Sequence, residues 1–383
     1  MGGDTAPGYG PAGPRTGAAA AGRVRGPDPG RAPGADNGRV NAFDLSRLRP
    51  RLPSPLEPVE DERFARRGLT LLLKREDLIH PDLPGNKWRK LALNLGAAAG
   101  RPVLTFGGAY SNHLRATAAA GRLLGFPTVG IVRGDELAGR PLNASLARCA
   151  ADGMRLEFVD RATYRAKNDP ATLARLLERA PAGAYVVPEG GSNALAVRGC
   201  VELGRELAGV ADTVAVACGT GGTLAGLAAG LSPGQRALGV PVLKGGFLGG
   251  EVRALQEAAF GGPRGDWTLD ERFHCGGYAR TSPVLEAFAR DFEARHGLAI
   301  ERLYVAKMLY GLTTLAEEGA YPAGTRLVAV VTGAPDGAGM AMGAPDGAAA
   351  TPDAPGGPAT PTGAPGRPPP TRPAGPQPSD SSR

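Results

Sequence analysis

Aromatic residues make up only 5% of this 383-residue chain, too few to interleave with its basic residues as single-stranded nucleic-acid binding requires. Cysteine is sparser still, with four copies. Cys149, Cys200, Cys218 and Cys275 lie far apart and form no C-x-x-C pair, which argues against a disulfide framework or a zinc site and for free thiols in a reducing compartment. The four histidines, His80, His113, His274 and His296, have no metal-ligand spacing, so no metal is expected. No apolar run reaches the roughly 18 residues of a membrane span, and the first residues offer only "AAAA" at 18–21 where a signal peptide would need a longer apolar core. A cytoplasmic protein that binds neither membrane nor nucleic acid is the expectation.

Glycine and proline are abundant instead, with 59 and 36 copies, and they are unevenly spread. Residues 1–40 and 338–383 consist mostly of Gly, Pro, Ala, Arg and Thr, without helix or strand period and with few large apolar residues to offset the entropy of ordering. Both are read as disordered tails. The first tail carries five Arg and three Asp and the second three of each, so the net charge of +7 falls to +5 between them. A mildly basic soluble body fits that balance.

That body alternates. Apolar, often β-branched runs such as "VLTFG" (103–107), "TVGIV" (128–132), "TVAVACG" (213–219) and "RLVAVV" (326–331) are separated by helix-period stretches such as "NKWRKLALNLGAAA" and "NHLRATAAAGRLLG". Strand–helix alternation with short loops predicts an α/β fold with parallel sheets covered on both faces. Ligands in such sheets bind beyond the carboxyl ends of the strands. Three loops fall there: "TFGGAYSNH" (105–113), "PEGGSNA" (188–194) and "ACGTGGTLAG" (217–226).

The third loop has the makings of a phosphate cradle, because glycines let backbone N–H groups turn inward and the next helix adds its N-terminal donors. It lacks the Gly-Lys-Ser/Thr ending of a nucleoside-triphosphate loop. Counting from Gly219 and Gly221, a dinucleotide fingerprint would need a third glycine where Leu224 stands, which disfavours a nicotinamide-dependent dehydrogenase. Glycines that merely allow tight strand–helix packing are the alternative. Pyridoxal phosphate fits a different phosphate site, and it requires a lysine for a Schiff base with its aldehyde. Lys87, in "LPGNKWRKL", begins a helix, a place that disfavours a positive charge. Its side chain either carries the charge out to water or is held there as an amine.

In order, "LKREDL…GNKWRKL", "TFGGAYSNHLRATAAAGRLLGF", "VPEGGSNALAVRG", "CGTGGTLAGL", "HCGGYAR" and "LYVAKMLYGL" resemble the pyridoxal-phosphate family of 1-aminocyclopropane-1-carboxylate deaminases and D-cysteine desulfhydrases. The resemblance runs from about residue 45 to 337. It implies a tryptophan synthase β-like fold of two three-layer domains with parallel or mixed sheets: a larger cofactor domain from 41–92 and 190–337, and a smaller α/β domain from 93–189. It also implies pyridoxal 5'-phosphate as cofactor, a small amino acid as substrate and, by analogy, a homodimer.

The same resemblance makes Lys87 the Schiff-base lysine and Lys90 a phosphate contact, with a solvated surface lysine as the other reading of Lys90. Gly219, Thr220, Gly221, Gly222 and Thr223 would hold the phosphate, and Asn112 would meet the cofactor's ring hydroxyl. Ser111 would stand beside the substrate. Backbone N–H groups of the Ser111-Asn112-His113 helix start could take the substrate carboxylate, although a plain N-cap serine explains Ser111 equally well. Tyr278 and Tyr304 match aromatic positions around cofactor and substrate, or are ordinary core tyrosines.

Two positions bear on the reaction. In the ring-opening deaminases a glutamate follows the motif tyrosine and a leucine stands at the strand end. Here Val305 follows Tyr304 and Thr332 stands at the strand end. A threonine hydroxyl suits an unprotonated ring nitrogen and hence α,β-elimination, as in D-cysteine desulfhydrases, giving a 2-oxo acid and ammonia. Ring-opening deamination is the alternative reading. The segment Val331-Thr332-Gly333-Ala334 replaces an expected His-Thr-Gly-Gly, and Ala306 replaces a glycine, so a divergent cofactor-binding protein with little turnover is a third.

Overall fold

A computed structural model describes residues 44–333 except Pro84 and Ala279; both expected tails lie outside the described residues. Within them, ten strands form two sheets. In chain order they are β1 (Leu56–Val59), β2 (Thr70–Lys74), β3 (Val103–Gly107), β4 (Thr128–Arg133), β5 (Met154–Val159), β6 (Tyr185–Val187), β7 (Thr213–Cys218), β8 (Arg236–Pro241), β9 (Asp266–Leu269) and β10 (Arg326–Val330). The larger sheet runs β1-β2-β10-β7-β8-β9 and the smaller β5-β4-β3-β6. Every pairing is parallel except β1 with β2.

The central strands are apolar along their whole length because both faces are covered. In β7, Ala215 and Ala217 face one core with Leu71, Leu73 and Leu327, while Val214, Val216 and Cys218 face another with Val328 and Val330. Small residues let one covering helix come very close. The helix Gly222–Gly230 meets the helix Ala194–Gly199 at Gly226, where a Cβ would sit 2.2 Å from the Val197 carbonyl oxygen. Gly199, Gly204 and Gly230 are used in the same way, each with a Cβ position under 3 Å from a neighbouring backbone oxygen.

The helix Lys87–Ala98 is fixed from below by a buried ionic network. Arg89 donates to Glu76 through Nε (2.6 Å) and Nη2 (2.8 Å), and Nη2 also reaches Glu206 at 2.9 Å. Lys74 pairs with Glu206 at 2.6 Å and donates to the Ser54 carbonyl at 2.7 Å, while the Ser54 hydroxyl donates to Glu76 at 2.5 Å. Two cations and two anions thus neutralise one another out of water. Because Arg89 lies between Lys87 and Lys90, the network also fixes which way those two lysines point.

Candidate active site

The carboxyl ends of β3, β4, β6, β7, β8 and β10 open on one cavity of about 320 Å³. Every candidate residue contributes to its wall: Lys87 and Lys90, the Ser111–His113 segment, the Gly219–Thr223 loop, Tyr278, Tyr304 and Thr332.

Lys87 follows a turn pressed onto the end of β10. Gly85 has φ +64°, and a Cβ there would fall 1.6 Å from the Thr332 carbonyl oxygen, so no side chain fits. Asn86 donates its backbone N–H to that oxygen at 3.1 Å and its side-chain amide to Thr223 Oγ1 at 2.9 Å. Lysine helix, strand end and glycine loop therefore meet at one residue. Burial lowers the Lys87 pKa, with Cys200 and Glu301 opposing the shift. Burial, more than its place at a helix start, is what favours the neutral amine.

Lys90 is buried, at 3% exposure, which excludes the solvated alternative. Its Nζ donates to Ser192 Oγ at 2.7 Å and to Thr220 Oγ1 at 3.4 Å, and those hydroxyls are 2.5 Å apart. Burial, then the neighbouring Lys87 charge, brings the Lys90 pKa down to about 7. Across from it the glycine loop turns through Gly221 (φ +79°) into the helix Gly222–Gly230. A Cβ on Gly222 would lie 3.0 Å from Ser192 Oγ and 3.4 Å from Lys90 Nζ. The missing side chain leaves a hollow bounded by an ammonium, two hydroxyls and a helix start.

Ser111 caps the helix Asn112–Leu124, its Oγ accepting from Leu114 N at 3.2 Å, and it also lines the cavity. The two readings of this serine are compatible. The Asn112 side-chain oxygen accepts from Arg115. His113 has a definite tautomer: Thr105 Oγ1 spends its hydrogen on the Val187 carbonyl at 2.8 Å, so at 2.7 Å it accepts from His113 Nε2–H. His113 Nδ1 is then a bare acceptor, buried without a partner among the described residues. Burial and the two lysines hold this imidazole well below its ordinary pKa. It stays neutral, and only its backbone N–H can donate to an anion.

Tyr278 and Tyr304 pack edge to face, with ring centroids 6.2 Å apart. Burial raises both phenol pKa values, so both stay protonated donors. Glu301 also reaches the cavity wall. Its carboxylate accepts from the backbone N–H groups of Leu303 (2.6 Å), Tyr304 (2.7 Å) and Val305 (3.3 Å), capping the helix Val305–Glu317.

Residues 49–333 match the family model described as pyridoxal-phosphate dependent enzyme. The chain belongs to this family. A D-cysteine desulfhydrase of Yersinia pestis is 31% identical to it over 274 residues, 64% of this chain and 80% of that one. An Arabidopsis thaliana protein named bifunctional D-cysteine desulfhydrase/1-aminocyclopropane-1-carboxylate deaminase, mitochondrial, is 30% identical over 271 residues, 64% of this chain and 67% of its own. The crystal structure of an ACC deaminase homologue superposes with a TM-score of 0.63 at 26% identity, covering 73% of this chain and 89% of that one.

The cavity of this pyridoxal-phosphate dependent enzyme suits its cofactor. The Gly222 hollow offers a phosphate monoester Lys90, Ser192, Thr220 and the helix start as donors. Asn86 and His113, whose Oδ1 and Nδ1 have no hydrogen-bond partner among the described residues, line the same cavity. Sequence reasoning missed Asn86, Ser192 and Glu301. Ser192 stood inside "PEGGSNA", a loop already singled out by its place after a strand, but nothing along the chain tied it to Lys90, 102 residues earlier.

Proposed function

We propose that this enzyme carries out D-cysteine desulfhydrase-like α,β-elimination on a small amino acid bearing a β-thiol, releasing sulfide, ammonia and a 2-oxo acid. Thr332 carries this reading, because the end of β10 brings a neutral hydroxyl to the cavity and not a carboxylate. Of the two carboxylates in the cavity wall, Glu301 is engaged by three backbone N–H groups as a helix cap, and Glu189 pairs with Lys167 at 3.1 Å.

The cofactor, held through Lys87 and in the Gly222 hollow, supplies an electron sink for negative charge at the substrate Cα. This chain's residues do the rest. The start of the Asn112 helix presents backbone donors to the substrate carboxylate. Lys87, its ammonium form disfavoured by burial, takes the proton from Cα. The Cβ–S bond then breaks, and a phenol of the Tyr278–Tyr304 pair gives the departing sulfur its proton. With one water consumed, cysteine yields pyruvate, hydrogen sulfide and ammonia, which balances. We place the smaller sheet in a separate domain spanning 93–189, and the reaction in the cytoplasm.

Ring opening of 1-aminocyclopropane-1-carboxylate is the second reading, favoured by Glu301 in the cavity wall and by the named activity of the relatives. One panel tests both. D-Cysteine, L-cysteine and the cyclopropane amino acid are each incubated with the holoenzyme, and sulfide and 2-oxo acid are measured. Sulfide and pyruvate from D-cysteine support elimination. A 2-oxo acid from the cyclopropane substrate alone overturns it, and no product from any of them leaves a cofactor-binding protein with little turnover.

A further inference from the structure

Lys307 lies on the helix that begins at Val305 and is completely buried, yet among the described residues no carboxylate comes within ion-pairing distance of it. A buried ammonium without a counter-ion is costly unless its hydrogens are all put to use. Lys307 Nζ donates to two backbone carbonyls of a neighbouring loop, those of His274 at 2.9 Å and Gly277 at 2.8 Å. Burial lowers its pKa, and Cys275 and the more distant Glu301 oppose the shift.

The loop it grips has an unusual backbone. Cys275, Gly276 and Gly277 have φ of +51°, +88° and +112°, three consecutive residues in a region that only glycine enters freely. Holding Cys275 there costs about 1 kcal/mol or more. That contortion turns the His274 and Gly277 carbonyls toward one point, where the ammonium sits. One helical turn beyond Lys307, Gly311 lets the loop lie directly on the helix, since a Cβ there would fall 2.7 Å from the Phe273 ring. The next residue after the gripped segment is Tyr278, and the residue before the helix is Tyr304.

We propose that Lys307 is a positioning residue, whose ammonium gathers the two carbonyls, holds the 275–277 turn in its left-handed form and so sets Tyr278 against Tyr304 in the cavity wall. The loop geometry stands by itself; the consequence for turnover rests on the eliminating role of the tyrosine pair proposed above.

The test compares Lys307→Met, Lys307→Gln and Tyr278→Phe by hydrogen exchange, without substrate, in the peptide covering 273–280. Losing both hydrogen bonds should speed exchange there about tenfold or more in Lys307→Met. Lys307→Gln, which can keep one donor on the carbonyls, should fall between, and Tyr278→Phe should match the wild type. If the methionine variant does not fold, the glutamine variant alone decides. In kcat/KM, the Lys307→Met/Tyr278→Phe double variant should be no slower than the slower single variant. Unchanged exchange in the lysine variants overturns the proposal, and losses that multiply in the double variant overturn its link to Tyr278. Exchange is read without turnover, so a wrong substrate assignment leaves the exchange result standing.

Discussion

Asn86 Nδ2 donates to Thr223 Oγ1 at 2.9 Å, joining residues 137 positions apart. The residue before the Schiff-base candidate thereby touches the end of the phosphate loop candidate, and the two halves of the cavity are held in one frame. Removing either side chain should cost about 1 kcal/mol. The Asn86→Ala and Thr223→Val changes should be non-additive, because they break the same bond. Chemical denaturation of both single variants and the double checks this; full additivity would mean that the contact contributes nothing.

The Gly222 hollow yields a sharper prediction. Gly222→Ala puts a methyl group 3.0 Å from Ser192 Oγ and 3.4 Å from Lys90 Nζ. The fold should tolerate it, since Gly222 opens its helix with ordinary helical backbone and the nearest contacts are side-chain atoms. Cofactor affinity should fall at least roughly tenfold, the equivalent of one lost charge-assisted hydrogen bond. Equilibrium dialysis against the apoprotein measures it.

Lys90 should make cofactor binding depend on pH in a definite direction. With its pKa brought down to about 7, much of Lys90 is neutral in the apoprotein at pH 8. A phosphate beside it restores the charge, so binding takes up a proton from solution. Calorimetry in two buffers of different ionisation enthalpy should show that uptake, and Lys90→Gln should abolish it. The same shift bears on stability. Between pH 7 and 10 the unfolded chain holds a proton on Lys90 that the folded apoprotein does not. Relative to Lys90→Met, stability should therefore rise with pH through that window and lose this contribution as pH falls to 7.

How much of this was readable along the chain depended on where each element lies. β3, β4, β7 and β10 are covered on both faces and appear as mostly apolar, β-branched runs. β1 and β9 have four residues each and lie at sheet edges, and β1 contains Pro58; β8 is interrupted by Gly239, which the Leu224 and Leu269 side chains require. That Lys87 and the glycine loop belong to one cavity was legible because few ligands call for both a phosphate cradle and an amine. The burial of Lys90 was not. Trp88, Arg89, Lys90 and Leu91 are all buried in succession, so no amphipathic period separated an inner lysine from an outer one. Ser192, Asn86 and Glu301 gain their roles from contacts that only the folded chain makes.

The buried ionic network should behave unlike surface pairs. Glu76→Ala leaves the Arg89 guanidinium, 3% exposed, without its bidentate partner and should cost about 3–5 kcal/mol. Glu202→Ala, which breaks the exposed pair with Arg205 at 3.3 Å, should change stability by less than about 1 kcal/mol. Urea denaturation of both variants separates the cases.

The most direct test of the central claim is chemical. The holoenzyme is reduced with borohydride, which fixes the cofactor to whichever lysine carries it, and the digested peptides are weighed. The added mass should fall on Lys87, and Lys87→Ala should lose both the tag and the visible absorbance of the bound cofactor. A tag on Lys90 or Lys307, or none on any lysine, would contradict the account.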